Sequence, residues 1–235
     1  TGEPEGTPRK AGAGIADVMC GMYATVGILA ALRHAEATGE GQHIDLSLVD
    51  SQMAWLINEG TNFLASGNLP VRRGNGHPNI VPYDVFATGD GHVIIAVGND
   101  RQFQAFCGAV GRDDLGRDAR YATNPLRIEN RAALTDAISE TFQTMTREKV
   151  LDVLQAVGVP CGPIYNVEQT LRSPQADARD AVVDIAHPGT TAGRVELLGN
   201  PLKFSRTPIK YAKPPPRFGE DTDALAKILS KHRGD

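Results

Sequence analysis

Asp17 is the first residue whose type and setting could support chemistry. It lies near the start of a stretch of small and apolar residues, 15–36, that has the periodicity of a helix. The positive end of the helix dipole stabilises a carboxylate there by roughly 0.3–1 kcal/mol. A carboxylate can attack an activated acyl group and form a covalent intermediate. The competing interpretation is that Asp17 is only the N-cap of the helix, a position where Asp is common.

A second candidate site is the segment Arg73–Pro78, which reads Arg-Gly-Asn-Gly-His-Pro. Gly74 and Gly76, on either side of Asn75, would let the backbone approach a ligand closely and present N–H groups to an anion. Such donors stabilise negative charge that develops at an acyl carbon. His77 could serve as an acid, a base or a hydrogen-bond donor. The same composition is also typical of a linker between domains.

Other reactive residue types give weaker signals. The three cysteines, Cys20, Cys107 and Cys161, form no C-x-x-C pair, so we expect reduced thiols, a cytoplasm-like compartment and no zinc. Cys161 has no sequence neighbour that would activate it, which favours a buried, inert thiol. The pair Asp113–Asp114 is typical of a solvated loop and not of a metal site. No metal is therefore expected.

Composition argues against several functions. The net charge of -4 and the pI of about 5.9 give no basic surface for a nucleic acid. The longest apolar run, Ala24–Leu32, contains Gly27 and falls short of the roughly 20 residues that span a bilayer, so no membrane segment is expected. The stretch 1–8 begins with Thr and is typical of a loop in mid-protein, so we expect an N-terminal portion to precede it.

Several elements must position these candidates. Apolar spacing predicts a helix over 15–36, and Asp90-Gly91 marks the turn of a hairpin. Breaker clusters lie at 66–82 and at Val159–Pro163. The remaining predictions are a strand at 43–48, a helix at 49–65, strands at 83–88 and 92–97, helices near 100–110, 126–144 and 147–157, helical pieces over 166–183, a strand at 193–198, an extended segment at 200–219 and a helix at 222–231.

Taken together, the motifs resemble the family III CoA-transferases, which include the formyl-CoA:oxalate and carnitine enzymes and have the α-methylacyl-CoA racemases as relatives. The resemblance is strongest over the first helix and the segment after it. It spans nearly the whole chain. The matching segments are Ile15–Tyr23, Gly27–Leu32, Thr38–Leu48, Arg73–Pro78, Pro82–Tyr83, Asp90–Gly91, Val159–Pro163 and Gly219–Thr222.

The resemblance implies a reaction and a set of site residues. The carboxylate matching Asp17 would attack an acyl-CoA thioester, form a mixed anhydride and then carry CoA as an aspartyl thioester. The loop matching Gly74, Asn75, Gly76 and His77 would cover the site and contact the intermediates. Coenzyme A would enter as the acyl-CoA substrate, with a small carboxylic acid as the acceptor and with no metal, nucleic acid or membrane as a partner.

The resemblance also implies an α/β fold in a cytoplasmic, interlocked homodimer. Residues 1–65 would end the N-terminal segment of a Rossmann-like large domain, and 66–81 would form the glycine-containing loop. Residues 82–165 would form a small α+β domain, and 166–235 would return to the large domain. The part that supplies most CoA contacts would lie upstream.

Two alternatives remain open. The first is an α-methylacyl-CoA racemase or epimerase. Racemases usually have Phe and consecutive glycines after the aspartate, whereas Asp17 precedes Val-Met-Cys-Gly, which favours the transferase. The loop differs from the all-glycine run of the oxalate enzyme, which puts oxalate specificity in doubt. The other alternative is an inactive fragment or an assembly module that lacks the CoA-binding part, and we expect weak or no CoA binding by this chain alone.

Overall fold

The computed structural model describes residues 2–232. The chain divides into two compact units, Thr1–Ile164 and Tyr165–Asp235. The first unit contains α1 (Ile15–Thr38), α2 (Leu48–Ala54), α3 (Ile57–Ser66), β1 (Tyr83–Thr88), β2 (Gly91–Ala96), α4 (Asp100–Ala109), α5 (Asp113–Arg117), a 3-10 helix (Ala119–Tyr121), α6 (Asn124–Glu129), α7 (Arg131–Gln143), α8 (Arg147–Ala156) and β3 (Cys161–Pro163). The second contains α9 (Val167–Leu171), α10 (Pro174–Ala178), β4 (Val182–Ala186), β5 (Arg194–Leu198) and α11 (Thr222–His232).

The α1 helix confirms the prediction of a helix from residue 15 and runs two residues past the predicted end at 36. Gly14 is its N-cap and makes no side-chain cap bond. Gly39 ends it with φ 80°, a conformation that favours glycine, and its N–H donates to the Ala35 carbonyl at 2.8 Å. None of the α1 side chains is buried.

By length and composition alone, α1 is also apolar enough to cross a membrane. The expectation that no segment reaches this length was wrong. The expectation failed because the alanines and glycines between the larger side chains add little polarity. The apolar stretch therefore does not end at Gly27. Core helices of soluble proteins meet the same criterion. The helix therefore does not by itself indicate a membrane protein.

The segment after α1 differs from its prediction. Residues 41–47 have no regular secondary structure, and the strand predicted at 43–48 was wrong. An alternating segment becomes a strand only when another strand pairs with it, and no strand within residues 2–232 does so here. The helix predicted at 49–65 is two helices, α2 and α3, because the chain turns after Trp55 and Ile57 has φ 45°.

Residues 81–163 form a small α+β arrangement around one core. The predicted hairpin is confirmed, with β1 antiparallel to β2 and Phe86 opposite Val93. On its other side β2 pairs with β3. Sequence analysis missed β3 because Gly162 and Pro163 are typical breakers, although Pro is tolerated in an edge strand. Phe86 and Phe142 meet edge to face in the core, with ring centroids 5.6 Å apart.

Arg127 is fully buried in this core. Its Nε donates to the Val81 carbonyl at 2.7 Å and its Nη1 to the Tyr121 carbonyl at 3.0 Å. Its Nη2 bonds to Asp100 at 2.8 Å, and the guanidinium lies 4.6 Å from the centre of the Phe103 ring. A buried charge is stable only when its donors are satisfied, so Arg127 ties α6 to α4, to the 3-10 helix and to the segment before β1.

Three further predictions were tested along the chain. The helix predicted at 126–144 is two helices, α6 and α7, with a break at Asn130. The pair Asp113–Asp114 begins the short helix α5, so the loop prediction was wrong, although both side chains are solvated and pair with Arg117 and Arg112. Helical pieces after residue 166 are confirmed by α9 and α10, but 182–186 is strand β4 and not helix.

The mixed α/β class is thus confirmed. In the described part of the chain, the strands form a three-stranded sheet and a two-stranded antiparallel pair, β4 with β5. The strand predicted at 193–198 is confirmed as β5. The domain limits 1–65, 66–81, 82–165 and 166–235, the Rossmann-like sheet and the interlocked dimer stay predictions.

Candidate active site

Asp17 lies on an open cleft of about 740 Å³. Three stretches form its walls: the N-terminal loop with the first turn of α1, the region where α2 gives way to α3, and the segment that leads to Arg73. Polar and charged side chains lie among aromatic and aliphatic ones. The lining residues are Lys10, Ala11, Ala13–Asp17, Gln52, Trp55, Leu56, Glu59 and Pro70–Arg72.

The Asp17 carboxylate is exposed to solvent. Asp17 is the third residue of α1, and Gly14 occupies the N-cap, so the interpretation of Asp17 as the N-cap was wrong. The carboxylate has no hydrogen bond or ion pair with the part of the chain that the structure describes. It lies close to Gly14, because a Cβ at that residue would be 2.9 Å from Oδ2 of Asp17. The N–H groups of the first turn have no partners within the helix and favour negative charge.

Arg72 and Arg73 are the last two residues of the segment that precedes the loop Gly74–His77. Arg73 donates from Nη1 to Oε1 of Glu59 at 3.2 Å, which ties the start of the loop to α3. Arg72 lines the cleft itself. It donates from Nε to the Glu3 carbonyl at 3.2 Å and from Nη2 to the Pro4 carbonyl at 3.3 Å. Arg72 was not among the candidate site residues predicted from the sequence.

The predicted loop, Gly74–His77, follows this wall but is not part of the cleft lining. Gly74 has φ 61° and its N–H donates to the Gly2 carbonyl at 3.1 Å. The Gly76 N–H donates to the Arg73 carbonyl at 3.0 Å, closing a turn around Asn75. In this conformation the N–H groups of Gly74 and Gly76 donate to carbonyls of the chain itself. They can bind an anion, as the sequence predicts, only after the loop rearranges.

His77 is held on several sides. Its ring stacks on Tyr83 with centroids 5.0 Å apart, and its Nδ1 accepts from the Asn79 N–H at 3.1 Å. The backbone N–H of His77 donates to the Tyr83 carbonyl at 2.9 Å. Partial burial, and next the positive charge of Arg131, lower the pKa of His77 below 6.5. The imidazole is therefore neutral at pH 7 with its proton on Nε2, and can act as a hydrogen-bond donor.

Arg131 and Asp84 support the loop from the small-domain side. Arg131 donates from Nη2 to the carbonyls of His77 at 2.8 Å and Pro78 at 3.1 Å. A Cβ at Gly76 would lie 3.0 Å from Oδ2 of Asp84, so the loop packs closely on this carboxylate. Burial raises the pKa of Asp84, and desolvation lowers the pKa of Arg131. These two residues gave no signal in the sequence.

The thiols and possible metal ligands lie outside this arrangement. Cys161 is partly buried and not fully buried as predicted; this burial raises the pKa of its thiol, and burial raises that of Cys107 to about 12. Neither cysteine lines the cleft. Among residues 2–232, no group of three or more His, Cys, Asp or Glu side chains could hold a metal ion. The cleft therefore offers the exposed carboxylate of Asp17, the carboxylate of Glu59 that pairs with Arg73, two cations, Lys10 and Arg72, and apolar side chains.

Comparison with known proteins identifies the class. The model of CoA-transferase family III matches residues 1–222, so the chain belongs to that family, which confirms the resemblance. The succinate–glutarate CoA-transferase of Agrobacterium fabrum is 43% identical over 235 residues, covering 99% of this chain and 58% of its own. The human succinyl-CoA:glutarate CoA-transferase is 34% identical over 232 residues, covering 99% of this chain and 52% of its own.

The fold agrees with this class. A crystal structure of a CAIB/BAIF family protein from Brucella suis superposes with a TM-score of 0.77 at 40% identity, covering 97% of this chain and 59% of that one. The chain thus spans little more than half the length of these relatives. Activity, substrates and partners of the whole protein are therefore matters for proposal.

Proposed function

We propose that the protein transfers CoA from an acyl-CoA to a short dicarboxylic acid, with Asp17 as the nucleophile. The observation that carries the proposal is the exposed carboxylate of Asp17, which has no hydrogen bond or ion pair within residues 2–232 and lies on an open cleft at the start of α1. Support for the reaction comes from the family and from relatives named for succinate and glutarate. A cytoplasmic location, an interlocked homodimer and loop contacts from Gly74–His77 belong to the same proposal.

The first half of the reaction loads the enzyme. An oxygen of Asp17 attacks the thioester carbon of the donor, the C–S bond breaks, and CoA leaves as a thiolate while an aspartyl mixed anhydride forms. The thiolate then attacks the side-chain carbonyl carbon of Asp17. The anhydride breaks there, the donor acid leaves as a carboxylate with one oxygen from Asp17, and an aspartyl-CoA thioester remains.

The second half reverses these steps with the acceptor. The acceptor carboxylate attacks the aspartyl thioester, displaces the CoA thiolate and forms a second mixed anhydride. The thiolate attacks the acyl carbon of the acceptor. The new acyl-CoA leaves, and the Asp17 carboxylate is regenerated with one oxygen that came from the acceptor. Each cycle needs an accessible carboxylate, and the exposed side chain of Asp17 in this cleft provides one.

The test is an exchange assay with the full-length protein, succinyl-CoA and glutarate, with the products identified by mass spectrometry. We expect glutaryl-CoA to form and Asp17→Asn to reduce the rate by more than roughly 10³-fold. Asp50→Asn, an exposed carboxylate on α2, is the matched control. With oxygen-18 glutarate, the peptide that contains Asp17 should gain the label, and hydroxylamine should trap the acyl-enzyme there.

A racemase would give a different result. Solvent deuterium would enter the carbon next to the thioester, with Asp17 as an acid or base, and no CoA would pass between acids. Deuterium uptake without exchange would replace the transferase proposal. Full exchange activity in Asp17→Asn, or a label that never reaches Asp17, would exclude the covalent mechanism.

A further inference from the structure

Arg72 shares the cleft with Asp17, and its charge is not used by the proposed covalent steps. It is partly buried. No carboxylate in the described residues forms an ion pair with it, whereas the adjacent Arg73 pairs with Glu59. A partly desolvated cation attracts an anion more strongly than one in bulk water does. Within residues 2–232, Arg72 is thus a cation of the cleft that forms no ion pair, although Asp17 and Glu59 line the same cleft.

The hydrogen bonds of Arg72 occupy one edge of its guanidinium. Nε and one N–H of Nη2 donate to the carbonyls of Glu3 and Pro4 at 3.2 and 3.3 Å. A guanidinium carries five N–H donors in a planar fork. The opposite edge, formed by Nη1 and the second N–H of Nη2, retains its donors. This is the edge that binds a carboxylate through two parallel hydrogen bonds.

The backbone contacts also pre-organise the side chain. Two carbonyls hold the guanidinium plane, so less rotamer freedom is lost when an anion binds. Lys10 also lines the cleft, but it is exposed, and a lysine ammonium is a point charge without a fork. Arg72 is therefore the better suited of the two cations for recognising a planar carboxylate in a defined orientation.

We propose that Arg72 binds the second carboxylate of a short dicarboxylic substrate while Asp17 reacts at the first. The inference rests on the proposed transferase function and assigns the residue that selects dicarboxylic over monocarboxylic acids. One carboxylate is consumed in the anhydride, whereas the other keeps its charge throughout the cycle. A fixed cation in the same cleft as the nucleophile would then orient the chain of the acid between the two groups.

The experiment compares acceptors in the full-length protein. CoA transfer from succinyl-CoA is measured to glutarate and to butyrate, which lacks the second carboxylate, in the wild type, Arg72→Met and Arg72→Lys. We expect Arg72→Met to lower the glutarate-to-butyrate ratio of kcat/KM by roughly 30-fold or more, as the loss of a charge-assisted pair implies. Arg72→Lys should retain part of the preference. Arg101→Met, an exposed arginine on α4, should leave the ratio unchanged.

The ratio within one enzyme preparation is independent of how much of the variant is folded. A second arm uses butyryl-CoA as donor with butyrate labelled with carbon-13 as acceptor, where no second carboxylate is present. If Arg72→Met raises the KM for butyryl-CoA as much as that for glutarate, Arg72 binds the phosphates of CoA and the inference is wrong. An unchanged glutarate-to-butyrate ratio overturns it as well. Absence of any exchange by the wild type would instead overturn the proposed function.

Discussion

Gly14 and Asp17 share the first turn of α1, where a Cβ at Gly14 would lie 2.9 Å from Oδ2 of Asp17. The absence of a side chain at residue 14 therefore leaves room for the carboxylate. Gly14→Ala fits the observed backbone, with φ -74°, but must push the carboxylate into another position. We expect kcat to fall by roughly 10–100-fold with the chain still folded, because a small misplacement of a reacting group is costly.

Two other glycines provide matched controls for Gly14→Ala. A Cβ at Gly12 or at Gly21 would meet nothing within 4 Å. Gly21 lies in the interior of α1, where alanine is favoured over glycine by roughly 1 kcal/mol. Steady-state exchange assays should show wild-type kcat in both controls. Equal losses in all three variants would show that the contact with Asp17 is not the cause.

His77 should be less than half charged at pH 6.5, where an ordinary histidine is half charged. Burial and Arg131 lower its pKa below 6.5. The unfolded chain therefore binds a proton that the folded chain excludes, so the free energy of unfolding decreases as the pH falls below 6.5. A histidine titration by NMR should place the midpoint of His77 below that value.

One variant can separate the two causes, burial and Arg131, that lower the pKa of His77. Arg131→Gln removes the positive charge but keeps an amide that can donate to the carbonyls of His77 and Pro78. The midpoint of His77 should then rise, because burial is the one remaining cause that lowers its pKa and Glu59 raises it. A midpoint that does not move in Arg131→Gln would assign the whole shift to desolvation.

Arg127 should be essential for the stability of the small α+β core. Arg127→Met fills similar space but leaves the buried Val81 and Tyr121 carbonyls without their donor. Each unsatisfied buried acceptor costs about 1–3 kcal/mol, so we expect a loss of at least about 2 kcal/mol in urea unfolding. Arg120→Met, whose guanidinium is exposed and paired with Asp118, should change stability by less than about 1 kcal/mol. Similar losses in both variants would contradict the assignment.

The thiols of Cys107, which is buried, and Cys161, which is partly buried, should react slowly in the folded protein. Burial raises the pKa of Cys107 to about 12 and also raises that of Cys161. Since the thiolate is the reactive form, iodoacetamide at pH 8 should modify both residues much faster in urea than in buffer. Peptide mapping after a timed reaction measures this. Rapid native labelling of Cys107 would show that the core opens around α4.

Local sequence patterns predicted the elements whose structure depends on near neighbours. The hairpin at Asp90-Gly91 and the start of α1 are of this kind, because turn chemistry and helical periodicity act within a few residues. The strand predicted at 43–48 failed because strand formation depends on a distant partner, and β3 was missed for the opposite reason: β2 stabilises a segment that contains breakers.

The residues of the candidate site also divide into those that a local pattern predicts and those that depend on distant contacts. Asp17 could be predicted from its type and its place in the helix. The role of Arg72 could not, because its contacts with Glu3 and Pro4 join residues about seventy positions apart. Arg131, which holds the carbonyl of His77 from more than fifty positions away, gave no local signal either. Long-range hydrogen bonds to backbone carbonyls leave no pattern in a single sequence.

The buried side chains of the core cluster all lie between Val81 and Val159, whereas α1 buries none. Amide protons of β2, the central strand, should thus exchange with solvent through opening of that cluster, while those of α1 can exchange through fraying of the helix alone. We therefore expect the helix that carries Asp17 to open at a lower free energy than the segment that holds the buried core.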